Sequence, residues 1–459
     1  MIFLASILLI LYAVFTFNIL IKISNGKLIY LLLYIIIFLP FFHSYQSLIY
    51  LYSESEIIID LIKFSKDIVL YFSFFIFLFG HKGSILFRKY YFSFLDKLML
   101  SFFVYILIYL FLPVGSSTFL MKLMYSKNLF LIPALYFIGR NNRLSEPNWN
   151  SVVYIFKTLI LIIFSFTVIE FIFSTHFHSL INFSEYNLVI NNYFPEGNYG
   201  LSWTFEKGDG SPRYAAFFSN PLALSASLLC YLSVFISDYF FSAKKTIFYI
   251  IITSIVFYFA FSRASILAAV LIATIFTITT KNYKLLLYAF VLLITFLLFI
   301  SFYASDEFIF YIKDTLSFNE LSSLGHLFEW IQSIISIYEN PLGIGLATSG
   351  NAFSVIDEIK VGGENQFLIF GVQLGVIFMI IYILIILKSI INGYKTFKYS
   401  KIVSNKKIGL TIFLLKIGLV IPAFTSNIEI YLFVSLFSWL LVGINENIYN
   451  KIIFKNGSS

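Results

Sequence analysis

A single cysteine, Cys230, occurs in the 459 residues. That excludes a disulfide framework and a CxxC metal site within one chain. Charge is also scarce. Only 12% of residues are Asp, Glu, Lys or Arg, about half the share of an ordinary soluble domain. The sequence lacks an Asp-x-Asp pair, a G-x-x-x-x-G-K-[ST] phosphate loop and a G-x-S-x-G elbow. Metal-dependent sugar-nucleotide chemistry and ATP-driven transport lose support with them. Thr175-His176-Phe177-His178 has an H-x-H spacing, but no third ligand follows nearby, so no metal and no cofactor is expected.

What is abundant is apolar. Hydrophobic residues make up 60% of the chain and aromatic residues 20%, and mean hydropathy is +0.91. Apolar runs long enough to span a bilayer recur from end to end, at 2–22, 28–43, 67–80, 96–113, 120–139, 152–173, 216–237, 245–261, 264–281, 284–303, 366–390, 407–424 and 426–446. The expected fold is an all-α polytopic membrane protein with about 12–14 transmembrane helices. A transmembrane β-barrel is excluded, because its strands would be short and would alternate polar with apolar. The first run lacks a basic start and a small-residue cleavage site, so it is expected to be a retained span.

The net charge of +8 does not point to nucleic acid. The Lys and Arg residues cluster in short hinges between spans, from Lys22 and Lys27 to the group Lys395, Lys398, Lys401, Lys406 and Lys407. The alternate connections are acid-rich. The largest, 304–365, holds nine Asp or Glu, including Glu329 and Glu364, against Lys313 and Lys360. The positive-inside rule places the basic hinges in the cytoplasm and the acid-rich loops outside, with the N-terminus outside and the C-terminus inside. The expected organisation is N-terminal spans 1–173, a first large periplasmic loop 174–215, central spans 216–303, a second large periplasmic loop 304–365, and C-terminal spans 366–459. Within the second loop, 320–338 has apolar residues at Leu321, Leu324, Phe328, Ile331, Ile335 and Tyr338. That is helical spacing, for a helix lying on the outer leaflet or packed on its own loop.

Several polar residues stand out against this background. Arg213 lies in a Gly/Ser/Pro-rich stretch just before Ser219-Asn220-Pro221 and an apolar run. Asn220 is a good N-cap and Pro221 a good first helical residue, so a helix start with its free N–H groups is expected beside a guanidinium. That combination suits an anion; the bland alternative is an arginine snorkelling to lipid phosphate. Arg263, in FAFSRASILAAVL, has apolar sequence on both sides and is a functional candidate unless it sits in a tight hairpin at the headgroups. His326 and Trp330 are one turn apart; His326 suits acid/base work or phosphate contact, or is merely an exposed loop histidine. Asn340-Pro341-Leu342-Gly343-Ile344-Gly345 reads as a helix stop and turn, with glycines that permit close backbone approach. Glu364, at the start of a span, is a candidate general base or an isolated carboxylate at the membrane edge. Glu170 and Glu429, near span ends, are candidates to pair with an arginine.

In order along the chain stand Arg213 followed by F-F-S-N-P, S-R-A-S opening a span, G-H-x-x-x-W ahead of N-P-L-G-I-G, and E-N-Q-F-L-I-F-G-V-Q-L-G. This series, over about 210–380, resembles the bacterial O-antigen polymerase and ligase superfamily, with the Wzy-type and WaaL-type enzymes. The family often has an arginine where this chain has His326. The resemblance implies a metal-independent glycosyltransferase of the bacterial inner membrane that acts on undecaprenyl-diphosphate-linked glycans at the periplasmic face. It implies catalytic roles for Arg213, Arg263, His326 and Glu364, and substrate contacts from Asn220, Trp330 and Asn365. Membrane lipid, a chain-length regulator and a flippase are the implied partners, and nucleic acid is not. A ligase transferring glycan to lipid A–core and a lipid-linked oligosaccharide flippase stand as the alternatives.

Overall fold

The computed structural model describes residues 2–79, 92–142, 144–208, 210–241, 244–281, 321–350 and 363–457. Among these residues the chain is α-helical, with one isolated β-bridge between Glu206 and Pro212. The helices are α1 Ile2–Ser24, α2 Leu28–Phe38, α3 Phe42–Ser53, α4 Glu56–Phe79, α5 Phe94–Phe111, α6 Phe119–Asn141, α7 Glu146–Phe173, α8 Phe177–Leu180 and α9 Phe183–Asn191. They continue with α10 Pro221–Phe241, α11 Ile247–Ala260, α12 Arg263–Thr280, α13 Leu321–Glu339, α14 Gln366–Tyr399, α15 Val403–Thr425 and α16 Leu432–Gly457. Nine helical stretches among the described residues are long and apolar enough to cross a membrane, so the chain is a polytopic all-α membrane protein. Three further predicted spans fall on α4, α6 and α11. α4 carries five charged residues, α6 is interrupted by Lys122 and Lys127 and has Arg140 in its last turn, and α11 has only 14 residues. The predicted span 284–303 lies outside the described residues.

The end of the second span and the start of the third, which begins at Glu56 instead of 67, differ from the sequence expectation. The second span does not end at 43: a short 3-10 turn at Leu39–Phe41 leads straight into α3, which stops only where Glu54 turns left-handed at φ 48°. The expected external loop 44–66 is thus mostly helix. The core is formed by α10 and α16, buried along 89% and 94% of their apolar windows, whereas α1 is buried along only 17% and faces lipid. The α6–α16 crossing is very close. A Cβ on Gly139 would lie 2.2 Å from the Leu440 carbonyl oxygen, and one on Gly443 would lie 2.0 Å from that of Tyr136. Glycine at both positions permits this approach.

Polar contacts tie the described connections into two groups. In one, Asp238 accepts from Lys157 at 2.8 Å, Lys407 at 2.9 Å and Thr246 at 2.8 Å, and Asp96 accepts from Tyr136 and Arg140. These bonds satisfy carboxylates that would be costly to bury unpaired. The other group gathers the 112–118 turn, the 174–220 segment, the α11–α12 turn, α13 and the turn between α15 and α16. It is called the loop face below.

The predicted span 366–390 is not one straight helix. Gly375 has φ 85° and ψ 172°, a break inside α14. Phe370 and Tyr382 have ring centroids 4.8 Å apart, and Phe367 and Tyr382 are 5.8 Å apart. In a straight helix twelve residues span about 18 Å, so the chain must fold back. Residues 366–374 form a short arm lying antiparallel to the long arm 376–399. The carbonyls of Val372 and Gln373, which end the short arm, accept from Ile344 and Gly345, and the Val376 N–H, which starts the long arm, donates to the Pro341 carbonyl. The N-P-L-G-I-G loop therefore supplies partners that both broken ends lack. Its close backbone approach is to this turn: a Cβ on Gly343 would meet the Gln373 carbonyl oxygen at 2.6 Å.

Candidate functional site

Arg213 follows the Glu206–Pro212 bridge, and its N–H donates to the Phe205 carbonyl at 2.8 Å. The next residue, Tyr214, donates from its N–H to the Phe259 carbonyl at 3.1 Å. The F-F-S-N-P residues anchor the segment. Phe217 stacks on Phe41 with centroids 3.6 Å apart, its carbonyl accepts from Ser44, and the Phe218 carbonyl pairs with His178 Nε2 at 2.7 Å. Asn220 then caps α10 by accepting from the Ala223 N–H at 2.8 Å, with Pro221 as the first helical residue. The cap expected from sequence is formed. The Asn220 side-chain oxygen is engaged in that bond.

The Tyr214–Phe259 bond ties this segment to the α11–α12 turn. There Phe261 is left-handed at φ 42°, Ser262 caps α12 and Arg263 opens it. Arg263 is half-buried at this turn. Lys207 joins the same corner, with its Nζ 4.4 Å from the centre of the Phe261 ring. Nothing in the polar, Gly-rich stretch around Lys207 distinguishes it in sequence.

The second half of the site comes from α13 and the start of α14. His326 Nδ1 lies 3.6 Å from Glu329 Oε2. Its pKa is raised, first by the hydrogen bond to Glu329 and further by the charge of Glu364; burial and the nearby Arg263 guanidinium oppose this. Arg263, His326, Glu329 and Glu364 thus form one electrostatic group. Glu329 packs against Gly363, beside Glu364. Asn365 caps α14, accepting from the N–H groups of Phe367 at 3.0 Å and Leu368 at 3.2 Å. Trp330 faces Phe424, which in turn meets Phe367 at 5.1 Å. The apolar stripe Phe328, Ile331, Ile335 and Tyr338 stays exposed, while Ser333 is buried and α13 packs on α14.

Other candidates play structural parts. His176 sits among the rings of Tyr199, Phe205 and Tyr214, and burial lowers its pKa to about 4 and that of His178 to about 3, so both are neutral near pH 7. Glu170 accepts from the backbone N–H groups of Phe177 and Ala216, not from an arginine as the sequence suggested. Glu429 likewise accepts from the side chains of Tyr382 at 2.6 Å, Trp439 at 2.9 Å and Ser435. On the other side of Trp439, buried Lys416 places its Nζ 3.4 Å from the ring centre and 3.0 Å from Ser438 Oγ. Lys416 was detectable, since it interrupts LTIFLLKIGLVIP by the same rule that marks Arg263. Glu329 also had a signal, being one helical turn from His326.

The described residues contain no group of three or more His, Cys, Asp or Glu side chains placed to hold a metal ion. No model of a known protein family matches the chain, and no curated protein matches it in sequence.

Proposed function

We propose that the chain is an O-antigen polymerase that joins undecaprenyl-diphosphate-linked repeat units at the periplasmic face of a bacterial inner membrane. One observation carries this reading beside the sequence resemblance. Arg263, His326, Glu329 and Glu364 form a single charged group at the loop face, and the Arg213 segment is hydrogen-bonded to the same α11–α12 turn. Cations fixed where a diphosphate leaves are suited to stabilise its developing charge.

In the proposed reaction an acceptor hydroxyl oxygen bonds to the anomeric carbon of the donor glycan. The bond from that carbon to the diphosphate oxygen breaks, and its electron pair leaves with the lipid diphosphate. Arg213 and Arg263 receive that anion, His326 donates to it as an imidazolium, and Glu364 accepts the hydroxyl proton. The exposed apolar stripe of α13 rests on the outer leaflet beside the site. Lipopolysaccharide from a deletion strain tests the reading: long chains should vanish while core bearing one repeat unit persists. Loss of all O-antigen from core would assign a ligase or flippase instead.

The raised pKa of His326 gives the pH dependence a sign. An imidazolium is present below the raised pKa and is lost as pH rises through it, so extension should fall on the alkaline side. Glu329→Gln removes the largest raising influence and should move that fall toward acid. Rates of chain extension by purified enzyme across pH check this. A rate that climbs with pH through the same range would make neutral His326 the active form.

A further inference from the structure

A second cluster of cations lies between α3, α4 and α6, apart from the arginines. Lys66 Nζ is 3.1 Å from Asp67 Oδ1, and Lys127 Nζ is 2.9 Å from Asp67 Oδ2. Lys63 is within electrostatic reach of both ammonium groups, and His43 lies within reach of Lys63 and Lys66. One carboxylate therefore sits among three lysines. The other acid nearby, Asp60, is 3.7 Å from Lys63 with its side chain 74% exposed. Even counting Asp60, three cations face two anions.

The depth of the cluster makes that excess costly. Lys66 is ten residues into α4, about 15 Å along its axis, and only 6% exposed. On α4, the residues Ile57, Leu61, Phe64, Ile68, Phe72 and Phe75 form an exposed apolar stripe that runs past the cluster on both sides. An ionisable residue buried behind such an apolar face is a functional candidate by default. The side chains of Lys63 and Lys127 are 34% and 43% exposed, so the recess is open. It also adjoins the candidate site. Beside His43, Phe41 and Ser44 hold Phe217, and beside Lys127, Tyr125 bonds Gln373 of the short arm at 3.1 Å.

We infer that this recess is a second diphosphate site, taking the head of a membrane-anchored acceptor while its hydrocarbon tail runs down the apolar stripe of α4. The inference rests on the glycan-transfer reading, in which donor and acceptor both carry lipid diphosphate. Lys63 and Lys127 close on the phosphate oxygens, and Asp67 holds Lys66 and Lys127 in place.

The test is the stoichiometry of farnesyl diphosphate binding, by calorimetry, to the full chain in phosphatidylcholine nanodiscs. Two equivalents are expected for the unaltered protein. Lys63→Gln/Lys127→Gln should keep one, and Arg213→Ala/Arg263→Ala should keep the other. Lys63→Arg/Lys127→Arg should keep both, which separates loss of charge from loss of fold. Unchanged stoichiometry in the Gln pair overturns the recess. Loss of one equivalent in the Gln pair alone, with the arginine pair unaffected, supports the recess and sinks the arginine site. Displacement of the recess equivalent by phosphatidylglycerol would reduce it to a general lipid contact and overturn the inference. Equal affinity for inorganic pyrophosphate would overturn the role of the tail; at least tenfold weaker binding is expected.

Discussion

Alanine at Arg213 or at Arg263 should abolish chain extension in a complemented deletion strain while the protein still accumulates in the membrane. Both side chains leave from fixed points. The backbone of Arg213 is held by the Phe205 bond and the neighbouring Tyr214–Phe259 bond, and Arg263 lies in the first turn of α12 behind the Ser262 cap. A guanidinium presents a planar fork to phosphate oxygens, whereas ammonium is a compact point charge. Hydrogen bonds to charged groups contribute about 1.5–3 kcal/mol each. Losing a bidentate contact in the transition state should therefore slow turnover roughly a hundredfold or more. Lysine at either position should retain part of the activity. If the arginines only snorkel to headgroups, lysine would serve almost fully. Polymer length and amount, normalised to membrane protein level, give the measurement. Near-normal ladders from both alanine variants would remove the two residues from the mechanism.

Gly375→Ala should be the most damaging small substitution in α14. The residue has φ 85°, and an added Cβ would lie 2.5 Å from the Pro341 carbonyl oxygen and 2.7 Å from the Leu342 carbonyl carbon, both backbone. Left-handed strain alone costs on the order of 1–3 kcal/mol, and the clash adds to it because neither neighbour can rotate away. Gly26→Ala is the matched control, since Gly26 has φ 72° but nothing within 4 Å of the added atom. Thermal unfolding of the purified protein should show a clearly larger fall for Gly375→Ala than for Gly26→Ala. Equal falls would mean that the brace at Pro341–Gly345 does not hold the turn.

Much of the fold was legible because bilayer spans are selected by length and apolarity, which are local properties. Local cap chemistry was legible too, as Asn220 with Pro221 shows. The fold-back at Gly375 was not. Both arms are apolar, so their hydropathy merges into one run, and the left-handed glycine leaves no compositional mark. The continuation of the second span through Pro40 was missed for a related reason: proline early in a helical segment loses no hydrogen bond. Within the site, Arg263 was visible as an isolated charge. Its proximity to His326, 63 positions further along the chain, is set by tertiary packing alone. The basic recess was obscured because Lys63 and Lys66 fell in an expected loop, while Lys127 looked like a flaw in a weak span.

The brace around Gly375 has a mechanical meaning. His326 rides on α13, which leads into the Pro341–Gly345 loop; that loop is bonded to both arms of α14, and the short arm begins next to Glu364. The proposed proton acceptor and the histidine are therefore mounted on one lever. A force that tilts α13 would act on both groups together and alter their distance from Arg263. The buried short arm, bonded to Tyr125 and to the Glu429 turn, anchors that lever in the bundle, so the two groups keep their spacing because they share one mount.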